Sequence, residues 1–206
     1  KKNERFFGLL HLKNRVNDDA SMAAGIRAST NQSIASGLVF GSQVTVCDNL
    51  VFAGDVSFNR KQTTNILNEL PQLMMEACLR VGDFQQAQAE LFARLQESAI
   101  DRSAANDLIM RVMQDGHCPS SMLNRVSEVY FNRGDALLQP EQQPEPGTAW
   151  ALYNAFTNAY KARFNRIDDP GDVARETIGL TALFASEFST VNFRELSVTP
   201  ATTHNN

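Results

Sequence analysis

Apolar and polar positions along this chain change period once, near Thr63, from about two residues to about 3.6. Before that point glycines and polar clusters cut the chain into short apolar runs. Residues 5–13 predict a strand, 14–20 a loop, and 25–29 and 34–40 two more strands joined by the turn chemistry of Thr30-Asn-Gln-Ser33. Gly41-Ser42 reads as a two-residue, glycine-first hairpin turn, and Gln43-Val-Thr-Val-Cys47 as the returning strand with Val44 and Val46 on one face. Residues 50–53 and 56–58 extend the pattern, with Gly54 marking a bulge or turn between them.

Beyond Thr63, Ile66, Leu67, Leu70, Leu73, Met74, Ala77, Cys78 and Val81 share one helical stripe. Pro71 inside it predicts a kink or a fresh helix start, because proline has no N–H to give the preceding turn. Gly82-Asp83 predicts the end of that helix. Phe84, Ala87, Leu91, Phe92 and Leu95 mark a second helical face. Leu108, Ile109, Val112 and Met113 mark a third, opened by Asp101 as N-cap and stopped at Gly116. A fourth helix spans 120–132 and buries Leu123, Val126, Val129 and Tyr130. The three prolines of 139–147 preclude helix and make a linker within the fold. Thr148 then caps a helix carrying Leu152, Tyr153, Phe156, Ala159 and Tyr160, and Asp172 caps a last one carrying Leu180, Leu183, Phe184 and Phe188.

These elements define an α+β fold: a four- to five-stranded antiparallel sheet in the N-terminal third, followed by about six helices packing on it. One domain covers 1–206, mainly β over 1–61, helical over 62–138, linker over 139–147, helical over 148–198, with a frayed tail over 199–206.

Composition agrees with a globular chain, with 43% hydrophobic and 20% charged residues among 206. No apolar run is long enough to cross a bilayer, and the opening Lys1-Lys2-Asn3-Glu4-Arg5 is not followed by a signal-peptide block, so the expectation is a cytoplasmic protein of a bacterial host with no membrane partner. Cys47, Cys78 and Cys118 are odd in number and widely spaced, which predicts reduced, mostly buried thiols. The net charge of −4 is unevenly divided: residues 1–61 hold eight Lys/Arg and five Asp/Glu, a balance of +3, and the remainder carries −7.

The sequence contains no pattern that demands a reaction. His117-Cys118 lacks a second ligand pair at zinc spacing and reads as a loop pair at a helix end, so no metal is assigned. His11 reads as a structural strand residue and Cys47 as an inert strand thiol. Neither a nucleophile elbow nor a cysteine-protease signature is present, and no catalytic residue is named. Glycine-rich phosphate loops are missing as well, so no cofactor is expected. Asp18, Asp19, Asp48 and Asp55 would hold a divalent ion only if the fold brought them together. The sheet half does combine Phe6, Phe7, Phe40, Phe52 and Phe58 with Arg5, Lys13, Arg27, Arg60 and Lys61, the residue types that stack bases and neutralise phosphates. Core packing is the competing and favoured account of those phenylalanines.

Several blocks resemble a known family. Gly25-Ile-Arg27, Ser33-Ile-Ala-Ser-Gly-Leu-Val-Phe-Gly41, Val46-Cys-Asp-Asn-Leu50, Phe52-Ala-Gly54, Arg60-Lys-Gln-Thr63 and the helix Thr148-Ala-Trp-Ala-Leu-Tyr-Asn-Ala-Phe-Thr157 are similar to the phage- and plasmid-like proteins catalogued as domain of unknown function nine-three-two. The chain departs from that pattern at Ser29-Thr-Asn-Gln-Ser33, where relatives have a Ser-His-Asp-Lys-like turn, which weakens any chemistry assigned to that turn. The resemblance implies a mobile-element origin and marks Cys47, Asp48, Asn49, Trp150, Tyr153 and Asn154 as signature residues of structural type. Trp150, Asn154 and Thr157 share one stripe, which predicts a helix pinned to the sheet by Trp packing and by an Asn amide bonded to strand-end backbone near Asp48-Asn49.

The resulting expectation is a non-enzymatic accessory protein acting through nucleic-acid or protein contacts, with single-stranded DNA binding or annealing as the nucleic-acid form. The alternatives are a divalent-metal-dependent hydrolase or nuclease, and a structural or host-interaction protein with a self-associating apolar patch. Self-association into a homo-oligomer belongs to the same set of expectations.

Overall fold

Four antiparallel strands, β1 (Arg5–Arg15), β2 (Ala20–Ser29), β3 (Gly37–Val44) and β4 (Asn49–Ser57), pair in sequence order as a meander. The computed structural model describes residues 5–18, 20–29, 37–44, 49–57, 66–132, 147–164 and 170–197. The helices are α1 (Ile66–Leu79), α2 (Val81–Glu97), α3 (Arg102–Gln114), α4 (Leu123–Asn132) after a single 3-10 turn, α5 (Ala149–Phe164), α6 (Pro170–Phe188) and a short α7 (Phe193–Leu196). The fold is therefore α+β, a four-stranded N-terminal sheet followed by helices.

Strand alternation gives the sheet two apolar faces. Met22, Ala24, Leu38, Phe40 and Val51 enter the main core with Phe84, Leu91 and Phe92 of α2 and with Tyr153 and Phe156 of α5. The opposite face places Phe7, Leu9, Val39 and Phe52 against Ala174 and Ile178 in the first half of α6. The second half of α6 contributes Leu180 and Phe184 to the main core. Thus α6 straddles the β4 edge of the sheet.

That edge is closed by two threonines one helical turn apart. Thr177 Oγ1 accepts from the Phe52 amide at 3.3 Å, and Thr181 Oγ1 lies 3.0 Å from the Phe52 carbonyl oxygen as its donor. An open strand edge is a template for further pairing, and covering it with a helix removes that hazard.

Gly41-Ser42 does not turn. β3 runs straight through both residues, and the β3–β4 register skips one residue there, with Phe40 opposite Gly54 and Gly41 opposite Phe52. Gly41 is needed for space, since a β-carbon on it would sit 2.0 Å from the Val51 carbonyl oxygen. The Gly54 region is correspondingly a bulge inside one strand, so the strands expected on either side of each glycine merge and four remain. β1 and β2 also extend into the expected loop, reaching Arg15 and starting at Ala20.

The helices depart less from their expected bounds. Pro71 lies inside a continuous α1, and the break comes at Arg80, two residues before Gly82, which has open space around it. Cys78, placed on the apolar stripe, is exposed, and so are Met75 and Leu79, because α1 turns Ala77 and Met74 toward the core instead. α6 starts at Pro170, so Asp172 falls in its first turn rather than at its cap; proline at the first helical position gives up no hydrogen bond. The Phe84, Ala87, Leu91, Phe92 and Leu95 face of α2 is buried as its spacing predicts. Asp101 caps α3, accepting from the Ala104 amide at 2.8 Å. Thr148 caps α5, accepting from the Ala151 amide at 3.1 Å. The turn at 30–33, the second half of the 43–47 strand, residues 139–146 of the linker and the tail lie outside the described residues.

Candidate functional site

β1 forms the free edge of the sheet among the described residues. With β2 it carries Arg5, Lys13, Arg15 and Arg27 and not one Asp or Glu. His11, Lys13 and Arg15 are exposed, Leu10 is 50% exposed, and Arg27 stands half-buried directly across from Phe7. The Phe7 ring lies over Gly25 and meets Phe52 edge-on at 5.9 Å, so part of it packs and part faces solvent.

The five phenylalanines do not form one platform. Phe40 and Phe52 are 2% and 1% exposed and belong to the core on opposite faces, Phe7 alone of the described three is half-exposed, and the side chains of Phe6 and Phe58 lie outside the described residues. Arg60, Lys61, Cys47 and Asp48 also lie outside them, as do the side chains of Arg5 and Asn49. Asp18 is exposed in the β1–β2 connection, while Asp19 and the Asp55 side chain lie outside. Among the described residues no three His, Cys, Asp or Glu side chains cluster as metal ligands, and no helix is long and apolar enough to cross a membrane.

The three signature residues of α5 sit deep in the helical layer. Trp150 packs on Phe92 of α2 at 4.9 Å and stacks with Tyr153 at 6.1 Å, and it belongs to the core that the sheet and helices share. Asn154 Nδ2 donates to the Trp150 carbonyl at 2.9 Å, one turn back in its own helix, in place of the strand-end bond expected from the stripe. Tyr153 makes the link to the sheet: its hydroxyl is 2.9 Å from Thr181 Oγ1, which bonds the β4 edge. Complete burial pushes the Tyr153 phenol well above its ordinary range, with the Thr181 bond opposing only in part, so it stays protonated and can donate.

A cleft on the other side of α6 escaped sequence reasoning. α3 ends at Gln114 with Asp115 as its C-cap, and Gly116, with φ of +74°, turns the chain so that His117 faces α6. Its backbone is held at both ends: the His117 amide donates to the Val112 carbonyl at 3.0 Å, and the Tyr160 hydroxyl donates to the His117 carbonyl. The imidazole rests on Gly179, where a β-carbon would sit 2.1 Å from Nδ1. Around it open two adjoining hollows of about 590 and 490 Å³, both lined by Asp115, His117, Gly179, Ala182, Phe193 and Arg194. Desolvation holds the His117 pKa below its ordinary value, Asp115 pulling it up and Arg194 pushing it down, so the ring is neutral at pH 7. His117-Cys118 was legible as a pair at a helix end. Its seat on Gly179 was not, because nothing local ties positions so distant in the chain.

No family model, no curated protein and no solved structure matches this chain.

Proposed function

We propose that this protein is a non-enzymatic accessory factor that binds single-stranded nucleic acid along β1. The observation that carries the reading is the charge of that strand: a sheet edge with no further strand on it among the described residues, with exposed Lys13 and Arg15 and no acidic residue in either β1 or β2, in a chain whose net charge is −4. Neutralising phosphates releases their condensed counterions, so even a few well-placed cations attract a polyanion. His11 supplies ring surface two residues from Lys13, and the partly exposed Phe7 ring lies further along β1, across from Arg27, for stacking a base. A phage- or plasmid-like origin is part of the same proposal; what supports it is the resemblance of the Val46–Asn49 and Trp150–Thr157 regions, with no family match to add to it.

Fluorescence anisotropy of a labelled single-stranded oligonucleotide, at about 50 and about 200 mM salt, tests the reading. Affinity is expected to fall with salt, and the double substitution Lys13→Glu, Arg15→Glu to lower the slope of log K against log salt by about 2. Arg94→Glu, on the exposed side of α2, is expected to leave binding unchanged. Absence of binding at the lower salt concentration would remove the proposal.

A further inference from the structure

The His117 cleft has the size, lining and fixed polar groups of a small-molecule site. Pockets of about 300 to 1,000 Å³ are typical for such ligands, mostly apolar with a few convergent polar groups, and the larger hollow here is about 590 Å³. Its walls divide by chemistry. Ala53, Ile178, Ala182 and Phe193 give an apolar floor, and the adjoining hollow continues over Ser186, Ser189, Thr190 and Asn192. His117 and Arg194 stand where the two hollows meet, since both line each of them.

Three features make this junction more than a surface dip. His117 is held through its backbone on both sides, yet its ring nitrogens have no hydrogen-bond partner among the described residues. Gly179 keeps the helix surface low enough to seat the ring, so the position is built rather than incidental. The Arg194 guanidinium has no ion pair among the described residues, whereas its neighbour Arg111 is paired with Glu187 at 2.5 Å. A guanidinium fork matches a carboxylate in two parallel hydrogen bonds. Asp115 and Glu176 offset Arg194 and Arg175 around the larger hollow, so its lining carries no excess positive charge to hold a dianion, and a single carboxylate suits the Arg194 fork.

We propose that the His117 cleft binds a small organic monoanion, a carboxylate on an apolar body, with Arg194 as its counter-ion, His117 as its hydrogen-bond partner and Phe193 beneath the body. This site is independent of β1, and neither reading depends on the other.

Benzoate is the probe, added to the full chain while the His117 ring resonances are followed by NMR; acetate and benzyl alcohol carry its head and its body separately. A saturable shift with benzoate is expected, at a dissociation constant on the order of 1 mM, with acetate and benzyl alcohol each at least about tenfold weaker. Arg194→Gln, an exposed change that leaves the core intact, is expected to weaken benzoate by about tenfold. Gly179→Ala, which displaces the imidazole, is expected to abolish the shift, with its far-ultraviolet circular dichroism checked for a retained fold. No saturable shift up to about 50 mM benzoate would overturn the proposal. So would equal binding of acetate and benzoate, or an Arg194→Gln variant that binds benzoate as well as the parent.

Discussion

Thr181 has one hydroxyl proton and three oxygens around it. The carbonyls of Phe52 and Thr177 lie at 3.0 and 2.9 Å and only accept, so the proton goes to one of them, and the Tyr153 hydroxyl at 2.9 Å must then donate to Thr181. Thr181 thus joins α5, α6 and the β4 edge in a site closed to water. Replacing it by valine keeps the shape but leaves a buried phenol without its partner and weakens the edge bond, each worth about 1 to 3 kcal/mol. Thr181→Val is expected to lower unfolding stability by about 3 kcal/mol, whereas Thr181→Ser, which keeps the hydroxyl, loses about 1 kcal/mol of methyl burial. Urea titrations of the two variants check the difference, and equal losses would show that the hydroxyl contributes nothing.

Helix ends offer a second kind of control. The end of α2 and the start of α5 are tied by a short antiparallel backbone bridge: Ile100 donates to the Gly147 carbonyl at 2.8 Å, and Ala149 donates to the Ser98 carbonyl at 2.9 Å. Thr148 sits inside that junction and caps α5, and Asp101 caps α3 just after it. Loss of a side-chain cap costs about 1 kcal/mol. Thr148→Ala and Asp101→Ala are each expected to cost about that much, and hydrogen exchange should localise the first to the opening turn of α5. Both caps were legible because they depend on neighbours three residues away. Gly41 was misread for the opposite reason: a turn glycine and a glycine admitted for close approach are the same letter, and only the Val51 carbonyl across the strand pair distinguishes them. Asn154 was misread likewise, since a helix stripe says which way an amide leaves the helix but not that it bends back to the Trp150 carbonyl.

At the scale of the whole molecule, pH reports on the His117 cleft. The charged groups lining the two hollows around the ring are Asp115 from its own turn, Arg111 from α3, Arg175 and Glu176 from α6, and Arg194 from α7. Burial lowers the folded pKa of this base below its unfolded value of about 6.5. The unfolded chain therefore binds the proton more readily, and stability from this group is full above about pH 6.5 and is lost as pH falls through the folded value. The melting temperature is expected to drop as pH falls from about 7 to about 5, above the range where most carboxylates titrate, and His117→Asn to flatten that segment. A variant with the parent's slope would place the proton uptake elsewhere.

Local periodicity accounts for a β region, then helices, the apolar face of α2, and the caps at Asp101 and Thr148. These follow from spacing of two or 3.6 residues and from side chains that bond backbone a few positions away. Packing between distant segments sets the rest: Gly41 continues a strand, two threonines of α6 close the β4 edge, Phe40 and Phe52 belong to the core, and His117 rests on Gly179 over a cleft. Each of these joins residues far apart in the chain, and their meeting is set by how the layers pack, a property no local pattern encodes.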